Sequence, residues 1–269
     1  VGAVFLLSPA QLLGTLVPSV SQAWWVGIIL VYYIVATMLP VDKVIGRLYP
    51  VFGAALIIMA LGLLGALVFG DYTIPEMTTF HNYQLNAHEL PIMPTLFITI
   101  ACGAISGFHA TQSPMMARCV GNEKECRMVF YGAMISESII ALIWAAVAMA
   151  FFGGAGELAQ TMGDNGNNPA WAVDVISRGT LGAVGSVLAM LGVVAAPITS
   201  GDTAFRSARL MIADIFRIDQ RPIVKRFMIC LPLFAVGFGI TLIDFGVLWR
   251  YFAWANQTLG TIVLWSIVV

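Results

Sequence analysis

Charge is what this sequence has least of. Only 10% of its 269 residues are Asp, Glu, Lys or Arg, against about 25% in an ordinary soluble domain. So little charge excludes a water-exposed globular surface. The basic residues make no case for a nucleic-acid surface, because those between 206 and 226 are accounted for by topology, as set out below. Cysteine is also scarce. Cys102 and Cys230 lie in apolar stretches, and Cys119 and Cys126 lie in a basic loop placed in the cytoplasm, where thiols stay reduced. A zinc site at Cys119 and Cys126 lacks its other two ligands. A phosphate loop, a zinc-protease helix and a nucleophile elbow are all missing. The expectation is therefore no metal, no cofactor and no enzyme. A cleavable signal peptide is not visible either. The chain opens at Val1 and closes in the apolar run Leu264–Val269, so it reads as part of a longer protein.

What is present is hydrocarbon. The chain is 59% hydrophobic with a mean hydropathy of +0.90. Several apolar runs approach the roughly 20 residues that cross a bilayer core. The pattern predicts an all-α, polytopic transmembrane helix bundle. Residues 1–21, broken by Pro9, Gly14 and Pro18, read as the end of an earlier element plus a loop. Seven spans follow at about 22–40, 48–70, 94–114, 129–152, 179–200, 222–243 and 251–269.

The loops alternate in charge. One set carries Lys43 and Arg47, then Arg118, Lys124 and Arg127, then Arg206, Arg209, Arg217, Arg221, Lys225 and Arg226. The intervening set carries only Arg178 and Arg250. The positive-inside rule places the first set in the cytoplasm. Residues 204–217 then predict an amphipathic helix on the cytoplasmic surface. Phe205, Ala208, Met211, Ile212, Ile215 and Phe216 share one face, with Arg206, Arg209 and Arg217 on the other.

Four segments interrupt the apolar background. The stretch 94–119 gathers Gly103, Ser106 and Gly107, then His109, Thr111, Gln112 and Ser113. Two glycines at this spacing suit either a close helix crossing or an unwound turn beside a binding site. His109 suits a proton carrier or a packing histidine. Glu137 lies inside the 129–152 span, where a charged side chain costs roughly 2.5–3.5 kcal/mol near the midplane. It reads either as a proton-coupling carboxyl or as a neutral acid bonded to a neighbouring helix. At Ala195–Thr203 a proline is expected to end the span, and Thr199, Ser200 and Asp202 beyond it suit substrate coordination or a capped junction. Near the C-terminus Asn256, Gln257 and Thr258 are consecutive and cannot share one helix face. That helix is expected to be surrounded by protein or locally opened.

The same four segments carry a resemblance. CGAISGFH (Cys102–His109), YGAMISES (Tyr131–Ser138), APITSGDTAFRSARL (Ala196–Leu210) and WRYFAWANQTLG (Trp249–Gly260) resemble the carbon starvation protein A family of bacterial inner-membrane transporters. The resemblance implies a multi-pass protein of the bacterial inner membrane that imports peptides or pyruvate, with protons as the coupling ion. It further implies the inverted-repeat fold of the amino-acid/polyamine/organocation transporters. The short join Leu39–Lys43 departs from the longer segment of many members and leaves the substrate open. On this reading Glu137 or His109 carries the proton. The substrate sits among Gly103, Ser106, Gly107, Thr111, Gln112, Thr199, Ser200, Asp202, Asn256, Gln257 and Thr258. The competing reading is a membrane-embedded nutrient sensor that binds the same small molecule without moving it.

Overall fold

A computed structural model describes residues 1–38, 41–76, 81–85, 87–93, 95–97 and 109–268. The side chains at 41–48, 110, 111, 186 and 190 are outside that description. Among the described residues every regular element is helical. In chain order these are α1 (Gly2–Leu16), α2 (Gln22–Met38), α3 (Val41–Phe69), α4 (His109–Ala117), α5 (Ala133–Phe152), α6 (Ala155–Asp164), α7 (Pro169–Leu188), α8 (Ala195–Ile215), α9 (Ile223–Ile240) and α10 (Phe245–Val268). A π-helical turn, Arg127–Gly132, leads into α5, and another, Ala189–Val194, joins α7 to α8.

Local chemistry sets several of the helix ends. Asn168 accepts the amide of Ala170 at 3.0 Å, with Pro169 as the first helical residue of α7. Asp244 accepts the amides of Gly246 and Val247 at the start of α10. Gly153, with φ at 88°, takes the left-handed turn that stops α5. Gly182, with φ at 63°, breaks α7.

Among the described residues three helical segments are long and apolar enough to cross a membrane: Tyr49–Phe69, Glu123–Phe152 and Ile223–Ile240. Most of the packing is gathered in two clusters. The larger joins α1, α2, α8, α9 and α10 through Val4, Leu6, Ile29, Tyr33, Phe205, Phe234 and Phe252. Its centre is Phe205, whose ring lies 4.7 Å from Phe234 and 5.6 Å from Tyr33. The smaller joins α3, α5, α7 and the second π turn through Met59, Leu63, Val147, Ile176 and Ala189. Helix α8 is the shared wall, packing on α1, α2, α3, α4 and α9.

Three expectations are corrected. Residues 1–21 are the helix α1 followed by a loop at 17–21, but Pro9 does not break that helix, because the bundle accommodates it. A proline has no N–H for the carbonyl four residues back, and that carbonyl, on Phe5, instead accepts the Tyr33 hydroxyl at 2.8 Å. Pro197 does not end a helix either. It falls three residues after a π turn, where the hydrogen-bond register is already shifting and a missing N–H costs least. The predicted loop 153–178 contains α6 and the start of α7.

Candidate functional site

The orientation of α8 decides the site, and it is the reverse of the amphipathic expectation. Ala204, Phe205, Arg206, Ser207, Arg209 and Ala213 are buried, while Met211, Ile215 and Phe216 are exposed. Arg206 and Arg209 point into the bundle beside Phe205, whereas Met211 and Ile215 point out and Arg217, past the end of α8, is exposed. The amphipathic reading assumed water outside the helix. A helix beside hydrocarbon does the opposite and turns its polar side chains towards protein.

Asp202 is 0% exposed and Arg206 1%. One turn apart on α8, they pair with Nη2 of Arg206 at 3.2 Å from Oδ2. The same Nη2 donates to the carbonyl of Ala36 on α2 at 2.8 Å. Tyr49 of α3 donates to Asp202 Oδ2 at 3.1 Å. From α4, Gln112 donates to the Thr203 hydroxyl, which in turn donates to the carbonyl of Ser200 at 2.9 Å. One carboxylate and one guanidinium thus tie α2, α3 and α8 together, and the Gln112–Thr203 bond adds α4. Close approach is enabled by Gly201, where any Cβ would collide with the Tyr33 hydroxyl and ring.

The predicted coupling residues also meet. His109 Nε2 lies 3.6 Å from Glu137 Oε2, bringing α4 and α5 together. The surroundings differ from the expectation, because the Glu137 side chain is 60% exposed rather than desolvated.

Not all of the predicted substrate set converges. Gly103, Ser106 and Gly107, like Cys102, lie outside the described residues, as does the Thr111 side chain. Gln112, Thr199, Ser200 and Asp202 gather on α4 and α8. The Thr199 hydroxyl, however, is turned back onto the carbonyl of Ala196 at 2.8 Å. Of the C-terminal trio only Asn256 is buried, at 1% exposure. Thr258 is exposed and returns its hydroxyl to Trp254 at 3.0 Å. α10 therefore runs unbroken, neither opened nor wrapped, because an i−4 back-bond satisfies a helical hydroxyl without help. A cavity of about 430 Å³ lies elsewhere, between residues 82–90 and α6, lined by Tyr83, Leu85, Leu158 and Met162.

The sequence reading missed Arg206, Arg209, Tyr33 and Tyr49. For Arg206 a signal existed: Asp202 and Arg206 stand at i,i+4, the spacing of a helical ion pair.

The family described as carbon starvation protein CstA matches residues 3–182, which covers α1 to α6 and the first part of α7. An uncharacterized membrane protein of Haemophilus influenzae is 42% identical over 203 residues, 56% of this chain and 54% of that protein. A peptide transporter CstA of Helicobacter pylori is 36% identical over 92 residues, 32% of this chain and 13% of that one. A pyruvate/proton symporter BtsT of Escherichia coli is 39% identical over 74 residues, 27% and 10% of the two chains. The chain spans about half the length of the first of these relatives. No solved structure matches it.

Proposed function

Because the chain belongs to the carbon starvation protein CstA family, we propose that it forms part of a secondary active transporter. The transporter imports a small nutrient, a peptide or pyruvate, by proton symport across the bacterial inner membrane. Relatives named as a peptide transporter and as a pyruvate/proton symporter support both substrate options. The observation that carries the reading is the Asp202–Arg206 pair, sealed among α2, α3, α4 and α8. Ionised side chains inside an apolar bundle are costly and mark solute or ion pathways.

His109 and Glu137 take the proton. They are 3.6 Å apart and both accessible, so a small approach of the two side chains is enough to pass a proton from one to the other. Gln112, Thr203, Asp202 and Asn256 line the solute path, with Ser200 and Thr199 supplying backbone carbonyls from the same turn of α8. The inverted-repeat architecture belongs to this proposal, as do the seven-span topology and the cytoplasmic placement of the basic loops. The break at Gly182 and the two π turns give this chain the interrupted helices that such a fold uses.

The test is uptake by the whole transporter in proteoliposomes. Wild type accumulates labelled pyruvate or dialanine when an inward proton gradient is imposed. Glu137→Gln inserts normally, keeps exchange of labelled for unlabelled substrate, and loses accumulation driven by the gradient. Accumulation that still follows the pH gradient in Glu137→Gln removes Glu137 from the coupling role. Binding without counterflow in wild type identifies a sensor instead.

A further inference from the structure

Arg209 has no visible reason to be where it is. It sits on α8 with 6% exposure, and its Nε and Nη1 groups are buried without a hydrogen-bond acceptor among the described residues. Its charged neighbours are Arg206, Arg226 and Asp202, beside the thiol of Cys230. Among the described residues the one carboxylate in this group, Asp202, is already engaged by Arg206 and Tyr49. Arg226, half-buried at the edge of the group, donates from Nε to the carbonyl of Gln220 at 2.5 Å and from Nη1 to that of Met38 at 3.4 Å. Both of those acceptors are neutral. Among the described residues three guanidinium groups therefore share one acid, and Arg209 keeps two buried donors, Nε and Nη1, without an acceptor.

A buried cation with open donors is destabilising unless an anion completes it. We infer that Arg209 receives the carboxylate of the transported molecule. This rests on the transporter reading and narrows it, since pyruvate and a peptide have the carboxylate in common. A guanidinium presents coplanar N–H donors that match the two oxygens of a carboxylate. The depth of Arg209 favours a small free acid over a lipid phosphate. A headgroup tethered to two acyl chains stays at the bilayer rim, where Arg226 is the more open residue. Arg226 then serves as the outer contact past which the acid enters, and Asp202 keeps Arg206 from competing for it.

The experiment measures binding of labelled pyruvate and labelled dialanine to the whole transporter in nanodiscs. Unlabelled acids compete against their uncharged amides, pyruvamide and alanyl-alaninamide. One of the two acids binds wild type, and its amide competes about 10- to 100-fold less well, the range for hydrogen bonds to a charged group. Arg209→Gln abolishes that preference. Arg209→Lys keeps the charge and the fold but weakens the acid several-fold, because an ammonium cannot offer the planar pair. If Arg209→Gln fails to fold, Arg209→Lys decides alone.

The inference is overturned if neither acid binds wild type, if the amide competes as well as the acid, or if Arg209→Lys binds like wild type. It is also overturned if Arg209→Gln changes only the phosphatidylglycerol that copurifies. The two readings fail separately. Acid binding through Arg209 with no counterflow keeps the anion site and removes the transporter. Uptake that Arg209→Lys leaves at the wild-type KM keeps the transporter and removes the anion site.

Discussion

Asp202–Arg206 and His109–Glu137 are both acid–base pairs within helices, but one is sealed and the other stands open. The side chains of the first are 0% and 1% exposed, and those of the second are 60% for Glu137 and 34% for His109. The sealed pair lies one turn apart on a single helix and is held by a tyrosine and a backbone carbonyl from two others. The open pair bridges two helices with a single 3.6 Å contact. Desolvation explains the difference in role. A pair with no water around it cannot readily lose or gain a proton without stranding its partner, so it fixes geometry. A pair open at the surface of the bundle contributes little to stability and is free to serve another role. On the proposed function, the first is the fixed wall of the solute path and the second carries the proton.

The comparison is broken most strongly at Asp202. Asp202→Ala leaves the buried Arg206 without its carboxylate and lowers stability by about 3–5 kcal/mol, read as a lower unfolding temperature of the purified protein. Replacing both partners, as Asp202→Leu with Arg206→Met, recovers most of that loss, since an apolar pair of similar volume leaves no buried charge. If the double variant is no better than the single, the arginine is held chiefly by contacts other than Asp202. A smaller loss, about 1–3 kcal/mol, follows from Gly201→Ala, whose methyl group must displace the buried Tyr33 ring. The same thermal measurement reads it, and Tyr33→Phe in the Gly201→Ala background recovers part of it. The smallest effect belongs to the open pair. Glu137→Gln shifts stability by less than about 1 kcal/mol while removing gradient-driven accumulation. A large loss of stability there would make the pair structural.

An all-helical chain with apolar helices of membrane-crossing length was legible from composition, because long uncharged runs admit few other readings. His109 and Glu137 were legible too, each as a polar residue out of place on an apolar segment. What was not legible was direction. The 204–217 segment has a clear two-faced pattern, but a pattern does not state which face meets protein, and the expectation assigned the arginines to water. Arg206 and Arg209 were consequently counted as loop charges when they are core residues. Tyr33 and Tyr49 gave no signal, since a tyrosine in an apolar helix looks like packing until its hydroxyl finds Phe5 or Asp202. Pro9 and Pro197 were read as helix ends. Each is accommodated by something no local window contains, a hydroxyl from α2 in one case and a preceding π turn in the other.

The central claim is that α8 carries Asp202, Arg206 and Arg209 inward and Met211 and Ile215 outward. Spin labels placed singly at 207, 211, 213 and 215 in the membrane-embedded protein test it directly. The account predicts mobile labels with high collision rates for dissolved oxygen at 211 and 215, and immobile, inaccessible labels at 207 and 213. Labels that are buried at 211 and 215 and open to a water-soluble relaxation agent at 207 and 213 would contradict it.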